Sequence, residues 1–375
     1  MRVALAAVWA VLLAAGIVQT ANGLQTDLLS LRAGLEAFPA WSIGVVMAGY
    51  YVGYSCGPLF SPAIIRKLGQ VNTIALGGVT AGVVIAIHGL FVTPVAWTLL
   101  RAISGFALAS VYVGYESWIN DKVVNRYRGR VFSLYMVLQM IGMTLSQVLI
   151  TVASPRLLTL FLLAAILFFI GTLPVFAARH HAPAHAPPEP FGLIHLYRIS
   201  PLGVIVTMLS GVSWSVVFTF GPIYAQREGF DLAGIGFYMG LAMATGAIVQ
   251  FPLGWLSDAI GRRLSIGIVT GVAACAALFG LWAARHGTLA QDVASALIGG
   301  FVFPIYSLTA AHTNDSIASQ SRVPAAAGLV LLFGLGSIVG PLATGWAITA
   351  MGLPGYFVVL AASMIAAVAV AAATR

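Results

Sequence analysis

Two charged side chains, Arg101 and Glu116, interrupt a long apolar stretch at residues 95–118. At α-helical spacing they share one face with Gly105 and Tyr112 and stand about 22 Å apart along the axis. A charge inside a membrane costs at least ~2.5 kcal/mol unless it meets a cavity or a partner, and it marks a functional site by default. We therefore predict that Arg101 binds a solute or takes part in proton coupling, with a purely structural ion pair as the alternative. Glu116 is predicted either to couple protons or to pair with a loop arginine.

Further polar side chains recur at helical intervals in the other apolar stretches. The predicted substrate-binding and translocation residues are Gln19, Asn22, Tyr50, Tyr54, Arg101, Tyr112, Gln139, Ser213, Trp214 and Tyr306. Polar side chains gain nothing by facing lipid, so these faces are expected to line a polar path. Hydrogen bonding between helices is the alternative for each residue taken singly, because small polar side chains commonly serve that purpose in membranes.

The charged and aromatic side chains on this path suggest the kind of solute. Arg101 would attract an anionic or polar group, and tyrosine or tryptophan rings would stack on an aromatic one. Asp27 is expected near the outer end of the first apolar stretch, so no carboxylate is predicted deep in that helix. A neutral or anionic organic molecule is therefore expected rather than a cation.

Membrane helices are needed to position these side chains, and the composition demands them. Of 375 residues, 60% are hydrophobic and only 7% are Asp, Glu, Lys or Arg, where soluble domains carry about 25%. Stretches long enough to cross a bilayer as helices recur along the chain. The predicted spans are 3–24, 41–63, 71–91, 95–118, 131–153, 157–178, 201–224, 233–256, 264–284, 290–311, 325–350 and 354–373. The pattern predicts an all-α membrane protein with twelve transmembrane helices.

A polar, proline-rich stretch divides these spans into two sets of six. The predicted domains are two pseudo-symmetric six-helix bundles, 1–178 and 201–375, joined by a cytoplasmic linker over 179–200. The linker histidines could suggest a metal site, but no cysteine or carboxylate cluster accompanies them. A proline-stiffened linker is the preferred interpretation, and no metal site is predicted.

A shift of 194 residues aligns the two halves. It matches Gly105 with Gly299 and Gly142 with Gly336, and it matches the Asn-Asp pair at 120–121 with the pair at 314–315. Matches of this kind indicate a duplicated unit, as secondary transporters use.

The positions of the basic residues predict the orientation. Four arginines lie in loops on one side, namely Arg32, Arg156, Arg227 and Arg285, while Arg101 lies within a span and the other thirteen Lys and Arg residues lie on the opposite side. The positive-inside rule makes the richer side cytoplasmic. Both termini are therefore predicted to be cytoplasmic, in a multi-pass protein of the inner membrane.

The turn after the eighth span reads Gly254-Trp-Leu-Ser-Asp258-Ala-Ile-Gly261-Arg262-Arg263. It resembles the loop signature of the major facilitator superfamily, and Arg101-Ala-Ile-Ser-Gly105 is similar to that superfamily's Arg-x-x-x-Gly element. Glu-Ser-Trp at 116–118 and His-Thr-Asn-Asp at 312–315 resemble its YcaD-like branch. An Asp at a helix end can pair with a nearby Arg, so Asp258, Arg262 and Arg263 are predicted to form a cytoplasmic latch. The matching first-half turn keeps Gly69 but has no Asp.

The resemblance implies the major facilitator fold and a secondary active transporter that works by alternating access. We expect proton coupling, with export as the direction favoured by family analogy. A non-transporting membrane receptor or assembly factor with the same fold is the alternative. No nucleotide-binding or hydrolase motif is present, so neither an enzyme nor a cofactor is expected. The expected partners of this predicted monomer are a small solute, a proton or other coupling ion and the lipid bilayer, with no nucleic acid.

Overall fold

The computed structural model describes residues 2–179, 192–317 and 322–374. Most of the predicted linker, residues 180–191, lies outside the described residues, as does Arg375. The described helices are α1 (Arg2–Leu35), α2 (Ala40–Leu68), α3 (Gln70–Leu90), α4 (Pro94–Lys122), α5 (Asn125–Leu149), α6 (Leu158–Ala177), α7 (Leu193–Ile199), α8 (Pro201–Arg227), α9 (Leu232–Ile260), α10 (Arg262–Ala283), α11 (Thr288–Val302), α12 (Ile305–Asp315), α13 (Arg322–Met351) and α14 (Pro354–Ala373).

Twelve helical segments among these residues are long and apolar enough to cross a membrane. α11 and α12 together form one such segment, Thr288–Asp315. They are separated at Pro304, whose ring has no N–H to continue the helical hydrogen bonding. The short α7 is not one of the twelve. The predicted all-α fold class with twelve membrane helices is confirmed.

The first helix is longer than predicted. The span was expected to end at residue 24, but α1 continues to Leu35. Polar side chains in the added turns find partners inside the protein, as when Gln25 Nε2 donates to Ser104 Oγ at 2.9 Å. The predicted span ended too early because hydropathy counts every polar residue against a membrane helix. It cannot show that a polar side chain has a hydrogen-bond partner inside the protein. Asp27 therefore lies well inside α1, and its predicted place near the helix end is wrong.

Contacts between Cα atoms divide the chain into two compact units. The first takes in the described residues of 1–32 and 49–187, and the second those of 33–48 and 188–375. α1 and α2 each contribute residues to both units.

The glycines that the 194-residue shift aligns allow equivalent close contacts between helices in the two units. In the first unit, a methyl group on Gly105 of α4 would overlap the carbonyl oxygen of Tyr50 on α2. In the second unit, a methyl group on Gly299 of α11 would overlap the carbonyl oxygen of Ala242 on α9. Small residues let the two backbones touch in both places, and in the first unit this contact fixes Tyr50 against α4.

A second aligned pair behaves in the same way. A methyl group on Gly142 of α5 would collide with the carbonyl oxygen of Gly16 on α1. One on Gly336 of α13 would collide with the carbonyl oxygen of Met208 on α8. The aligned glycines therefore mark equivalent helix contacts within each unit, which is the physical content of the sequence repeat.

Candidate functional site

Arg101 is buried in the first unit, where it faces an aromatic ring and has unused donors. Its side chain is 1% exposed, and its Cζ atom lies 4.4 Å from the centroid of the Tyr50 ring. Its Nε and Nη1 atoms have no hydrogen-bond partner among the described residues. A cation over an aromatic face is attracted by the ring quadrupole, but the ring accepts few of its N–H groups. The guanidinium is thus held against the Tyr50 ring, and its Nε and Nη1 donors are not used by the described residues.

A row of tyrosines continues from this arginine. The Tyr50 and Tyr54 rings stack with centroids 5.8 Å apart, and Tyr54 lies 6.3 Å from the ring of Tyr112. Tyr112 Oη donates to Gln19 Oε1 at 2.5 Å. The side chain of Asn22 interacts with the hydroxyls of Tyr50 and Tyr112.

Six of the predicted solute-binding residues therefore form one contiguous group on α1, α2 and α4, which we name the arginine–tyrosine cluster: Gln19, Asn22, Tyr50, Tyr54, Arg101 and Tyr112. It combines a buried cation, stacked phenol rings and amide groups. Such a surface can bind a flat, polar or anionic organic group by charge, stacking and hydrogen bonds at once.

Asp27 is a buried carboxylate that sequence reasoning set aside. Its side chain is 3% exposed, and its Oδ2 atom accepts a hydrogen bond from Gln147 Nε2 of α5 at 2.6 Å. Its Oδ1 atom is buried and has no hydrogen-bond partner among the described residues. A carboxylate satisfied on one side only favours either a proton or a cation on the other. A cationic solute was disfavoured because no carboxylate was predicted inside the first helix. Asp27 removes that reason.

Glu116 of α4 is linked to the arginine–tyrosine cluster through the buried Tyr135 of α5, which interacts electrostatically with Glu116, Tyr54 and Tyr112. Glu116 is half-buried near the other end of α4. Gln139 is half-buried on α5, where its amide nitrogen lies 3.9 Å from Met136 Sδ on the same helix. Glu116 is thus connected to the cluster indirectly, whereas the contact found for Gln139 lies within its own helix.

In the second unit, Trp214 and Tyr306 belong to one aromatic group. The Trp214 ring centroid lies 5.1 Å from that of Phe303 and 6.0 Å from that of Phe333. Tyr306 meets the same Phe333 at 5.2 Å. Ser213 has a different role, because its hydroxyl is fully buried against the Ser363 hydroxyl of α14 at 2.7 Å. The Ser213 contact is therefore a hydrogen bond between helices, which was the alternative to a place on the solute path.

Two residues of the predicted latch, Asp258 and Arg262, belong to an ionic network within the second unit. Arg262 pairs with Asp258 at 2.6 Å and with Asp315, at the end of α12, at 2.9 Å. Arg263 makes no such pair among the described residues. Its guanidinium instead donates to the carbonyl oxygens of Ala371 and Ala372 at the end of α14, at 2.8 and 2.9 Å. Asp315 was not predicted as part of the latch, although the repeated Asn-Asp pair pointed to that position.

The chain is similar in sequence to one protein family and to several transporters. The family model described as Major Facilitator Superfamily matches residues 3–331 and 203–375. An uncharacterized MFS-type transporter of Enterobacter sp. (strain 638) is 28% identical over 348 residues, which cover 91% of this chain and 87% of the relative. The MFS-type transporter YcaD of Escherichia coli O139:H28 (strain E24377A / ETEC) is 26% identical over 317 residues, covering 84% and 81%.

Two solved structures share the fold. The nucleoside transporter NupG has a TM-score of 0.78 at 15% identity, covering 100% of this chain and 98% of that one. A bacterial homolog of the human lysosomal transporter Spinster, in an inward-facing and occupied conformation, has a TM-score of 0.75 at 14% identity, covering 97% and 94%.

Proposed function

Because the chain belongs to the Major Facilitator Superfamily, we propose that it carries a small neutral or anionic organic solute across the membrane by alternating access. The resemblance found in the sequence, including the YcaD-like branch, is confirmed by the family match and the relatives. We propose that transport is coupled to protons and runs in the direction of export. The chain would work as a monomer in the inner membrane, with both termini cytoplasmic.

The observation that carries this proposal is the buried Arg101 with two unused donor atoms. A guanidinium deprived of water and of hydrogen-bond acceptors is costly unless a ligand completes it. A carboxylate or a polarised carbonyl group on the solute would supply the missing acceptors. The stacked rings of Tyr50 and Tyr54 would hold an aromatic or flat part of the same molecule beside it.

For proton coupling, Asp27 joins the predicted Arg101 and Glu116 as a third group. Its carboxyl group lies inside α1 and is almost fully buried, and its hydrogen-bond partner among the described residues is the neutral amide of Gln147. Burial without a counter-ion favours the protonated form, so a change of exposure during the cycle would make Asp27 take up or release a proton. Gln147 would keep the carboxyl group oriented in both states.

We propose that the two halves, residues 1–178 and 201–375, act as the two bundles of the carrier, joined by the linker at 179–200. The network of Asp258, Arg262 and Asp315 would hold the ends of α9, α10 and α12 together at the cytoplasmic gate. Arg263 would add the end of α14 to the same assembly.

The test is flux through the purified protein in proteoliposomes under an imposed pH gradient. Radiolabelled benzoate serves as an anionic aromatic probe and uridine as a neutral one, and the passive entry of benzoic acid, measured in protein-free liposomes under the same pH gradient, is subtracted. The wild-type protein is expected to move at least one probe faster than protein-free liposomes do. Arg101→Ala should lower benzoate flux by roughly tenfold or more, because a charge-assisted contact to the probe is lost. Arg285→Ala, which removes an exposed loop arginine, is the matched control and should keep wild-type flux.

Two results would count against the proposal. Movement of neither probe above the protein-free level would favour a non-transporting receptor or assembly factor. Undiminished benzoate flux in Arg101→Ala would remove Arg101 from the site while leaving transport itself in place.

Coupling is tested separately with Asp27→Asn. An amide cannot take up a proton, so the variant should still exchange labelled for unlabelled probe but should no longer accumulate it against a gradient in response to pH. Accumulation at the wild-type level would show that the coupling proton binds elsewhere, with Glu116→Gln as the next variant.

A further inference from the structure

Three buried tyrosines gather at the end of the second unit where α8 stops and where α9 and α14 start. They are Tyr224, Tyr238 and Tyr356, each 1% exposed. The Tyr224 ring stacks on Tyr356 with centroids 5.6 Å apart and lies 6.0 Å from Tyr238. Gln291 and Asp292, in the first turns of α11, complete a group that we name the tyrosine–carboxylate cluster. None of the five was predicted as a site residue, and the proposed transport mechanism does not use them.

Four oxygen atoms of this cluster are left without hydrogen-bond partners among the described residues. They are buried, and they are Tyr224 Oη, Tyr238 Oη, Gln291 Oε1 and Asp292 Oδ1. Gln291 is 5% exposed. A buried polar atom left unsatisfied costs about 1–3 kcal/mol, so four in one cluster would destabilise the folded chain considerably. The cluster is therefore built to be completed by something else.

The cluster atoms without hydrogen-bond partners among the described residues are all oxygens. Gln291 uses its amide nitrogen on Glu228 Oε2 at 3.1 Å, which leaves its carbonyl oxygen as the unused side. The Tyr238 hydroxyl lies within electrostatic reach of Tyr356 and Asp292. The Tyr224 hydroxyl lies within electrostatic reach of Glu228. What remains is a set of oxygens beside two carboxylates, and such a set attracts a cation rather than an anion.

This negative charge is not neutralised by a basic side chain within the described ranges. Neither Glu228 nor Asp292 forms an ion pair with a lysine or arginine among the described residues, whereas Asp121, Asp258 and Asp315 do. A single positive charge would balance Asp292, the carboxylate with the unused oxygen. The part of the chain that the structure describes has no group of three or more His, Cys, Asp or Glu that could hold a metal ion, and this argues against a divalent metal with several carboxylate ligands.

The two matching positions of the first unit carry different side chains. The 194-residue shift aligns Gln291 with Trp97 and Asp292 with Thr98. Trp97 Nε1 donates to the carbonyl oxygen of His88 at 3.1 Å, and the Thr98 hydroxyl donates to the carbonyl oxygen of Pro94 at 2.8 Å. At these two positions the first unit has side chains that donate hydrogen bonds, and the second has oxygens without partners among the described residues.

We propose that the tyrosine–carboxylate cluster is a sodium-binding site. Its ligands would be Asp292 Oδ1, Gln291 Oε1 and the hydroxyl oxygens of Tyr224 and Tyr238, since carboxylate, carbonyl and hydroxyl oxygens are the ligands that hard cations prefer. A bound ion would link α8, α9 and α11 at that end of the unit. The site does not depend on the identity of the solute, and its occupancy can be measured without transport.

The test is thermal unfolding of the purified full-length protein in detergent as sodium chloride replaces choline chloride at constant ionic strength. An ion that binds only the folded state raises its apparent stability in a saturable way. The unfolding temperature is expected to rise with sodium in the wild-type protein and to show no such rise in Asp292→Asn. Asp121→Asn, which removes an exposed carboxylate in the first unit, is the matched control and should keep the sodium response.

A gentler variant covers the case in which Asp292→Asn does not fold. Tyr224→Phe removes one ligand oxygen and keeps the ring, so it should raise the half-saturating sodium concentration roughly tenfold or more. Unfolding temperatures that are equal in sodium and choline, or a sodium response unchanged in both variants, would overturn the proposal. A choline-dependent rise that Asp292→Asn abolishes would also overturn it, because the site would then hold an organic cation. Each outcome is independent of whether benzoate or uridine is transported.

Discussion

The turn between α2 and α3 and the turn between α9 and α10 share a backbone and differ in chemistry. Gly69 and Gly261, which occupy them, have φ angles of 80° and 94°. Four residues later, the Thr73 hydroxyl donates to the Gly69 carbonyl at 2.8 Å, and the Ser265 hydroxyl donates to the Gly261 carbonyl at 3.0 Å. The repeated unit thus kept the geometry of the turn in both halves.

The side chain after each glycine makes the difference. Gln70 is 4% exposed, and its amide nitrogen donates to the Gly114 carbonyl of α4 at 2.5 Å. Arg262 is partly exposed and pairs with two carboxylates, at 2.6 and 2.9 Å. One turn is held by a neutral, buried hydrogen bond that salt does not reach. The other is held by ions that water and salt do reach. Repetition of shape therefore does not imply repetition of function.

The largest effect is expected from giving the first turn the side chain of the second, with Gln70→Arg. The residue three positions before the glycine is Asp258 in the second turn but Arg66 in the first. The new guanidinium would be buried beside a like charge instead of a carboxylate. We expect a loss of about 3 kcal/mol in the free energy of unfolding, measured by thermal or denaturant unfolding in detergent.

A double-mutant cycle sharpens this prediction. Arg66→Asp combined with Gln70→Arg recreates the ionic arrangement of the second turn, so the double variant should recover more than ~1 kcal/mol relative to the sum of the single changes. Additive effects would mean that the two turns place these side chains differently despite their common backbone.

A smaller and equal effect is expected from Gly69→Ala and Gly261→Ala. Both glycines combine a positive φ with an extended ψ, 161° and 144°, a region that is essentially restricted to glycine. No atom lies within 4 Å of an added methyl group at either position, so the cost is that of the backbone alone. Each change should lower the free energy of unfolding by about 1–3 kcal/mol.

Gly254→Ala is the matched control for these two variants. Gly254 also has open space around it, but it lies inside α9, where alanine is favoured over glycine by up to ~1 kcal/mol. A cost at Gly261 with none at Gly69 would break the claim that the turns share one geometry.

Much of the fold could be predicted from the sequence because lipid imposes length and hydropathy on each span. The error at the end of α1 has a physical cause. Gln25 and Asp27 are polar, and only the positions of Ser104 and Gln147 in the folded chain show that they are paired. Hydropathy identifies residues that need a partner but cannot identify the partner.

The same limit explains which site residues were foreseen. Buried polar residues such as Gln19 and Tyr112 stood out within apolar stretches, and the structure joins them directly. Ser213 stood out equally but is paired with Ser363 in a helix contact. Asp292 was missed because it lies near the start of a span, where a carboxylate costs little in sequence terms, although its Oδ1 atom is buried in the structure.

The smallest effect on stability is expected from Arg262→Gln, and it should depend on salt. Partly exposed ion pairs contribute at most about 1 kcal/mol, and this contribution shrinks as ionic strength rises. The difference between Arg262→Gln and wild type should therefore be clear at low salt and nearly absent at high salt. Gln70→Leu, which removes the buried hydrogen bond of the first turn, should instead cost about 1–3 kcal/mol at any salt concentration. A loss in Arg262→Gln that persists at high salt would point to the hydrogen bond from Arg262 to the Ser257 hydroxyl, at 3.2 Å. The two turns would then both be held by short-range hydrogen bonds, and the contrast between a neutral and an ionic turn would fail.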